Sequence, residues 1–589
     1  MLAKKLFACA VLATSLLAQP ANEPRILLLP SQGSTVSVFA NEGLTALTPI
    51  NAPSGATAIL ARPDGNRYFV VSGNEFSVAD AAGNEIQAPA GFGLPIAAAE
   101  ITPDGSKILF AAGTSLYSYD ISGDTIKQLP GASLTGTPYA LAVSLDSRDA
   151  FVLTAAGLSR INLTSNTVTG TVQLAGMDPS KSSVVAGPNG FLYVNAEGAL
   201  HEVNPRTMES ISIPVAAFPS KPVFSPDGTK VWVAGLGATT GQPALMIIDL
   251  AARTVTHTLN AFGVAFDYML WGGPDKIYAY SSSTRKLYQM TETLSGLDEA
   301  DFPAIGKIRR VSAAFNSTEV PNGQEIVGPK YLFVVAPDTL YRIDLAPLES
   351  TPPEQTVTSV RLPGPSRGGI FFMPPATAAS TIARTHLYGD KQNVVKGEES
   401  MPLVFRLVDH SGRPIMGMPV TFTASRGGVV DRMTATNSAG LAQAIWKAPD
   451  TEGTFSVTAT FAGTSIYFEL RSVSPGSEDT PGQDPGPGAS GISILSGNGQ
   501  VMRGGSRSPE PILLRVTDGG GSPVPGAKVT FAISGGTGGS VVANQGYSCE
   551  VASGGTVCIT DSNGQVEVRF WPPMVNPTVS WIQTTINAS

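Results

Sequence analysis

Six copies of a short turn motif recur along the first half of the chain at nearly constant spacing. The motif joins two apolar runs through Pro-Asp-Gly or a close variant, as in VFSPDGTKVWVAGLG (223–237). Its copies begin at residues 62, 102, 144, 187, 225 and 273, so successive steps are 40, 42, 43, 38 and 48 residues. Proline fixes φ at the first corner of such a turn, and Asp and Gly suit the later corners. A period of about 40 to 50 residues is typical of a solenoid or a propeller.

A second marker has the same period and ends the third apolar run of each unit. It is an Asp or Asn followed by a polar turn and a short β-prone run. Each unit therefore holds four short strands, which is the content of a β-propeller blade. Because these side chains obey the repeat, we interpret them as turn caps and not as metal ligands or catalytic carboxylates. The residues are Asp80, Asp120, Asn162, Asn204, Asp249 and Asp344.

The blade count follows from the second strand of each unit, which occurs eight times. The first unit has no innermost strand before it, and the last is followed by an unpaired apolar run, GGIFFMPP (368–375). We expect this run to complete the blade that the N-terminus begins, which closes the ring. Seven blades remain an alternative if the irregular stretch 293–328 forms no blade.

Composition narrows the class of protein. Only 14% of the residues are charged, the net charge is −8, and Gly and Pro number 63 and 46. These values favour turn-rich β structure, and the absence of a Lys/Arg run makes nucleic acid an unsuitable partner. Residues 1–21 have the two lysines, short apolar run and small residues of a signal peptide, with cleavage expected near 18–21. No later segment has the length and apolarity of a membrane helix.

The chain after the propeller contains two copies of another all-β module. VDHSGRPIMGMPVTF (408–422) matches TDGGGSPVPGAKVTF (517–531) without a gap. Short alternating strands between Gly-rich turns predict two Ig-like sandwiches. The sequence thus predicts an all-β fold, with a β-propeller at 22–378, sandwiches at 379–474 and 492–589, and a Pro/Gly-rich linker at 475–491.

The second module differs from the first in two ways. An insertion near 542–556 brings in Cys549 and Cys558, for which a disulfide that staples a protruding hairpin or loop is the natural interpretation in an exported protein; two free thiols are the alternative. Alignment also places Ser589 opposite Ser465, before the last strand of the first copy. We therefore expect the second module to be truncated before its last strand.

Two family resemblances rest on these motifs. The run KVWVAGLG followed by ALMIIDLAARTVTHTL (230–259) resembles the YVTN-type propeller repeat of exported bacterial surface and periplasmic proteins. The paired module pattern resembles the bacterial Ig-like domain of invasin and intimin type. The first resemblance implies a propeller that hosts lactonases, binding modules or surface-layer proteins, and the second implies stalk domains that carry a binding head.

The sequence offers no catalytic motif, and we expect no cofactor, no metal site and no enzymatic activity. The four histidines lie in different units, and the strand aromatics are expected to pack between blades. One irregular stretch combines an acidic and a basic cluster and is the candidate ligand surface: Asp298, Glu299, Asp301, Lys307, Arg309 and Arg310.

The resulting hypothesis is an exported binding or adhesion protein at the cell surface or in the periplasm. Its propeller head would recognise a protein or glycan, and its Ig-like modules would form a stalk. A lactonase-like propeller hydrolase with appended Ig-like modules is the first alternative, and a structural surface-array protein is the second.

Overall fold

We analysed a computed structural model of the chain. The structure describes residues 23–123, 125–129, 134–215, 219–225, 228–236, 243–250, 252–260, 265–273, 276–281, 283–291, 309–315, 329–345, 356–376, 382–409, 413–475, 491–496, 508, 511–517, 528–534, 540–543, 549–552, 555–560, 565–572 and 585–588. The strands in the first 372 residues are β1 (Arg25–Pro30), β2 (Thr35–Ala40), β3 (Ile50–Asn51), β4 (Ala58–Ala61), β5 (Arg67–Ser72), β6 (Glu75–Asp80), β7 (Glu85–Gly91), β8 (Ile96–Ile101), β9 (Lys107–Ala112), β10 (Ser115–Asp120), β11 (Thr125–Gln128), β12 (Pro138–Val143), β13 (Asp149–Thr154), β14 (Gly157–Asn162), β15 (Thr167–Val172), β16 (Val184–Ala186), β17 (Leu192–Ala196), β18 (Ala199–Val203), β19 (Ser210–Pro214), β20 (Val223–Phe224), β21 (Lys230–Leu236), β22 (Pro243–Asp249), β23 (Thr254–Asn260), β24 (Tyr268–Gly273), β25 (Lys276–Ser281), β26 (Lys286–Thr291), β27 (Arg310–Phe315), β28 (Pro329–Val335), β29 (Thr339–Asp344), β30 (Thr356–Arg361) and β31 (Ser366–Phe372).

These strands form eight antiparallel sheets, one for each blade of a β-propeller. From the innermost strand outward, the sheets are β31-β1-β2-β3, β4 to β7, β8 to β11, β12 to β15, β16 to β19, β20 to β23, β24 to β26, and β27 to β30. We number the blades 1 to 8 in that order. Within the described residues, blade 7 has three strands and the other blades have four. The predicted count of eight blades is confirmed.

Ring closure occurs where the sequence predicts it. Strand β31 pairs antiparallel with β1, from Arg25 opposite Phe372 to Leu29 opposite Gly368. The first blade therefore takes its innermost strand from the end of the propeller and its other strands from the beginning. The innermost strands of blades 8, 1, 2 and 3 lie side by side in that order, since β31 contacts both β27 and β4, and β4 contacts β8.

The repeated turns connect the first and second strands of blades 2 to 7. In blades 2 and 3 the backbone N–H of Gly65 and of Gly105 donates to the carbonyl three residues earlier, at 2.8 and 2.7 Å. Both glycines have positive φ, at 72° and 68°. Ser147 occupies the same position in blade 4 with φ of 61°, and its Oγ accepts a hydrogen bond from the backbone N–H of Asp104 at 3.0 Å. A positive φ at this corner explains why the motif favours glycine.

The repeated Asp and Asn side chains cap the turns between the third and fourth strands, as predicted. The Oδ1 of Asp80 accepts bonds from the backbone N–H groups of residues 82 and 84, at 2.9 and 2.8 Å. Asn162 Oδ1 does the same for residues 164 and 165, at 3.0 and 2.9 Å. In Asp120 the bonds from Ser122 hold the pKa of the carboxyl below its ordinary value. These residues therefore shape the blades.

Apolar and aromatic side chains fill the space between neighbouring blades. The rings of Phe69 in blade 2 and Tyr119 in blade 3 pack edge to face, with centroids 6.0 Å apart. Trp232 of blade 6 packs in one cluster with Trp271 of blade 7. A buried ion pair adds to this packing, since Arg253 Nη2 lies 2.7 Å from Glu202 Oε1. The blades are thus held together mainly by burial of apolar area, for which the expected gain is about 25 cal/mol per Å².

Two β-sandwiches follow the propeller, each built from two four-stranded sheets. The first combines sheets β32-β34-β37-β36 and β33-β39-β38-β35, and the second combines β40-β41-β46-β43 and β44-β45-β42-β47. Their strands are β32 (Ile382–Tyr388), β33 (Gln392–Val395), β34 (Leu403–Asp409), β35 (Thr421–Ala424), β36 (Gly428–Arg432), β37 (Leu441–Lys447), β38 (Gly453–Phe461), β39 (Thr464–Val473), β40 (Gly491–Ser496), β41 (Ile512–Thr517), β42 (Lys528–Ser534), β43 (Ser540–Ala543), β44 (Cys549–Ala552), β45 (Gly555–Ile559), β46 (Gln565–Trp571) and β47 (Thr585–Ala588).

The cysteines of the second sandwich form a disulfide between directly opposed residues of a hairpin. Cys549 on β44 pairs with Cys558 on β45, with their Cα atoms 4.1 Å apart. We expected this hairpin to protrude, and that expectation is wrong. Strand β45 also pairs with β42, and Cys558 is buried beside Val529 and Val566 in the core. Strand β47 pairs with β42 as β38 pairs with β35, and truncation of the module stays a prediction.

The first sandwich packs against the propeller on the face that carries the repeated turns. We call the surface formed there by Pro103, Leu145, Arg148, Gly190 and Gly228 the seat. These residues belong to the first-to-second-strand turns of blades 3, 4, 5 and 6, with Arg148 directly after its turn. The sandwich therefore spans half of the ring.

Apolar contact forms the centre of this interface. Leu145 is buried in one cluster with Leu387, Val404, Met433 and Leu441 of the sandwich. Beside it, the rings of Phe191 and Tyr388 meet edge to face at a centroid distance of 5.4 Å. Arg406 follows Val404 by two residues on β34 and so points to the same side; burial lowers its pKa to about 10.

The seat glycines allow the close approach of the sandwich. A Cβ on Gly190 would lie 3.1 Å from Gln443 Oε1 and 3.4 Å from Pro402 Cβ. A Cβ on Gly228 would lie 3.6 Å from Leu387 Cβ. The turn residue that the repeat selects for its positive φ therefore also leaves room for the sandwich.

Polar bonds fix the orientation of the sandwich. The backbone N–H of Ser438 donates to the carbonyl of Pro103 at 2.9 Å, and Asn437 Nδ2 donates to the carbonyl of Leu145 at 3.0 Å. Asp431 accepts from two propeller arginines, Arg148 at 2.6 Å and Arg206 at 3.4 Å. The same turns that close the blades thus bind the sandwich through their carbonyls and their charges.

We expect Leu145→Asp to release the first sandwich from the seat. A carboxylate among four apolar side chains would be buried without a partner, at a cost of about 2 kcal/mol or more. Small-angle scattering should show an increased radius of gyration for this variant. Val430→Asp is the control, because Val430 is 46% exposed in the same sandwich. An unchanged radius of gyration in a folded Leu145→Asp protein would show that the seat does not depend on this contact.

Asp431→Ala should have a smaller and salt-dependent effect. The two ion pairs of Asp431 are partly exposed, so their removal should cost about 0.5 to 2 kcal/mol in total. Scanning calorimetry should show a lower melting temperature at low ionic strength, and the difference should shrink as salt screens the charges. A loss of the same size at high salt would contradict an electrostatic role for Asp431.

Candidate functional site

The innermost strands of the blades surround a central channel and run in the same direction. Each starts where the preceding blade ends, and in blades 2 to 8 it is followed in the chain by the second strand of its own blade. The channel therefore has two different mouths, one on the seat face and one at the first residues of the innermost strands. We call the latter the open mouth, because no sandwich contact lies there within the described residues.

Charged residues are rare on the innermost strands. Most of these segments are short and apolar, such as AILA in β4 and VVA in β16. The described innermost strands carry three charged side chains, and each interrupts a pattern that the other blades keep. They are Glu100 on β8, Arg310 on β27 and Arg367 on β31.

Glu100 is the fifth residue of β8, so it lies on a strand that surrounds the channel, toward the seat face. Burial raises the pKa of its carboxyl to about 7, while the Lys221 ammonium and the backbone N–H of Ile101 act in the opposite direction. Lys221 lies two residues before the innermost strand of blade 6, whereas Glu100 belongs to blade 3. The two residues therefore belong to different sides of the ring. A carboxyl with this pKa can take up or release a proton near neutral pH.

Arg310 and Arg309 of the predicted ligand surface lie at the open mouth. Arg310 is the first residue of β27, and both arginine side chains are solvent-accessible. A Cβ on Gly368 of β31 would lie 3.1 Å from Arg310 Cβ and 3.5 Å from its Cδ. The stem of Arg310 thus lies against the bare backbone of the neighbouring blade. Partial desolvation there lowers the pKa of Arg310 below its ordinary value, with Tyr268 acting in the opposite direction.

Tyr268 contributes an aromatic ring to the same mouth. It is the first residue of β24, and its Oη donates to the carbonyl of Arg309 at 2.8 Å. The ring stacks on Tyr280 at a centroid distance of 6.3 Å and is 39% exposed. The open mouth therefore combines an accessible ring from blade 7 with cationic side chains from blades 8 and 1.

The remaining predicted site residues have different outcomes. Asp298, Glu299, Asp301 and Lys307 lie outside the described residues. His201 is buried, with Nε2 3.0 Å from the carbonyl of Ala175; His257 is exposed, and the side chains of His386 and His410 lie outside the description. Within the described part of the chain, no group of three or more metal-ligating side chains occurs, and no helix is long and apolar enough to cross a membrane.

Sequence reasoning missed Glu100, Lys221, Arg367 and Tyr268. For Glu100 a signal existed, because a carboxylate in IAAAEI breaks a pattern of small apolar residues that the other blades share. For the other three residues the position at the mouth depends on which strand is innermost. That assignment needs the ring to be closed in three dimensions.

Comparison with known proteins gives no family for this chain. No family model matches it, and no curated protein matches it. Among solved structures, AztD from Citrobacter koseri has 11% identity and a TM-score of 0.43, covering 60% of this chain and 99% of AztD. A functionally unknown protein from Desulfotomaculum acetoxidans has 15% identity and a TM-score of 0.37, covering 48% and 97%. Hydrazine synthase from Kuenenia stuttgartiensis has 15% identity and a TM-score of 0.30, covering 43% and 78%. At this similarity none of the three carries a functional inference.

We expect Glu100→Gln to stabilise the propeller above pH 7 and to have little effect below pH 4.5. The folded pKa of about 7 exceeds the ordinary 4.5, so between these values the folded chain holds more protons than the unfolded chain. Stability therefore falls as the pH rises through this window, by at most about 3 kcal/mol. Calorimetry across the window should show this fall in the wild-type chain and a weaker fall in the variant.

Glu85→Gln is the matched control for this measurement. Glu85 is exposed on β7, the outermost strand of blade 2, and its replacement should leave the pH profile unchanged. A stability difference between Glu100→Gln and the wild-type chain that is the same at every pH would contradict the titration of Glu100.

Proposed function

We propose that this chain is an exported binding protein of the bacterial surface or periplasm, in which the propeller is a recognition head without enzymatic activity. Its partner would be a protein or glycan. The predicted export signal and the resemblance to YVTN-type repeats and invasin-type modules support this assignment. The carrying observation is the asymmetry of the propeller: the first sandwich occupies the seat face, while charged and aromatic side chains lie accessible at the open mouth.

The docked sandwich changes the expected role of the first Ig-like module. A stalk domain would extend away from the head, whereas this module packs across four blades. We assign it the role of a base that holds the propeller in a fixed orientation, with the open mouth facing away. The second sandwich, joined through the Pro/Gly-rich linker, is then the spacer.

A hydrolase of the lactonase-like class is the second candidate, and one observation favours it. Glu100 has a pKa of about 7 in the channel, and general bases work best when their pKa lies near the operating pH. In that case Glu100 would accept the proton of an attacking water. A lactone or ester that entered by the open mouth would have to pass along the channel to reach Glu100, which lies toward the seat face.

One experiment distinguishes the two functions. The chain from residue 22 onward, immobilised by its C-terminus, is applied to glycan and matrix-protein arrays and is also assayed with lactone and ester substrates. We expect saturable binding and no turnover. Turnover that is lost in Glu100→Gln would establish the hydrolase instead. The absence of both binding and turnover would contradict both functions.

A further inference from the structure

We propose that the open mouth binds an acidic saccharide, with Arg310 contacting its carboxylate or sulfate group and Tyr268 stacking on the sugar ring. This inference rests on the proposed function and specifies the ligand of the recognition head. It draws on three neighbouring innermost strands, β24, β27 and β31, whose first residues meet at the same mouth.

The first step is the convergence of cations. Arg310 begins β27, and Arg367 is the second residue of β31, the next strand around the ring. Gly368 lies against the stem of Arg310 at a distance that a larger residue would disturb. The two arginines therefore lie at the beginning of neighbouring strands at one level of the channel. Because Gly368 faces Arg310, Arg367 points to the opposite side of β31, where its Nη2 donates to the carbonyl of Ser31 at 3.4 Å. Arg310, with Arg309 before it, is thus the cation that the inference uses. Guanidinium groups suit carboxylate and sulfate because two parallel N–H donors match two oxygens.

The second step is the state of Arg310 without ligand. Within the described residues Arg310 has no ion pair, and its side chain is exposed. The guanidinium group is therefore accessible to an anionic group that enters the mouth, with which it would form strong, charge-assisted hydrogen bonds.

The third step selects a sugar from among the anions. The ring of Tyr268 is held by its hydrogen bond to the carbonyl of Arg309 and by stacking on Tyr280. It therefore presents an accessible aromatic face in a fixed orientation beside the arginines. Such a face accommodates the C–H groups of a pyranose ring, since an aromatic side chain joins a large apolar surface to a polar edge. A free inorganic anion would make no use of it.

The test uses oligogalacturonate and its fully methyl-esterified form, which has the same sugar rings without the charges. Isothermal titration calorimetry with the chain from residue 22 onward should show binding of the charged oligomer. The affinity for the neutral oligomer should be lower by a factor of about ten or more. Arg310→Ala should lose about tenfold to a hundredfold in affinity for the charged oligomer, and Arg310→Lys should recover only part of it.

Matched variants separate this site from general effects of charge. Arg361→Ala, on the exposed outermost strand of the same blade, should bind like the wild-type chain. Tyr268→Phe keeps the ring and should bind more tightly than Tyr268→Ala. Melting temperatures establish that each variant is folded.

Three results would overturn the inference. Equal binding of the two oligomers would show that the charge of the saccharide has no role. An equal loss of affinity in Arg310→Ala and Arg361→Ala would show a general effect of surface charge and no specific role for Arg310. Binding of a poly-glutamate peptide as tight as that of oligogalacturonate would replace the saccharide by an acidic peptide. In each case, binding on the glycan or matrix-protein arrays would still support the proposed function of the propeller as a recognition head. The absence of binding on the arrays would contradict that proposed function itself.

Discussion

The pairing of β31 with β1 is the contact on which the rest of the propeller depends. Blade 1 cannot be completed until residues some 340 positions apart have met, from Arg25 opposite Phe372 onward. Without this pairing β1 and β31 would each present an open edge, and strand edges of that kind promote aggregation. All innermost strands run in one direction because the blades share one strand order. The two mouths are therefore formed by opposite ends of these strands.

The repeated turns have two roles that are met by the same residues. Their glycines and Ser147 have positive φ, which lets each blade reverse direction within a short turn. In blades 3 to 6 the same segments form the seat, where the carbonyls of Pro103 and Leu145 accept bonds from the sandwich. Because these turns are equivalent, they present equivalent backbone groups on one face of the propeller. The sheet that contains β34 and β37 can therefore contact several blades at once.

The parts of the structure that could be predicted are those that leave a periodic trace in the sequence. The turn motif, the Asp and Asn caps and the unpaired apolar run GGIFFMPP (368–375) together predicted eight blades, with seven as the alternative, and their closure. Ser147 shows that the position matters more than the residue type, since it adopts the φ of the glycines in other blades. The doubled module likewise predicted two sandwiches.

The seat and the open mouth left no such trace. Asn437 binds Leu145 across nearly 300 residues, and neither residue is unusual in its own segment. Arg310 lies at a mouth because it begins an innermost strand, and it meets Gly368 of another blade only in the closed ring. The hairpin of Cys549 was misjudged for a similar reason, because the pairing of β45 with β42 depends on long-range contacts. These features follow from which segments become neighbours after folding, and local pattern does not specify that.

The seat also has a mechanical consequence. The chain leaves the ring at Phe372 and reaches the sandwich through a short connection, so a pull on the C-terminal modules has a covalent path straight to β31. That path lies in parallel with the seat, where contacts from four blades share the load. Tension is therefore shared between this covalent path and the seat. The contacts from four blades reduce the part of the load that reaches the strand that closes the ring.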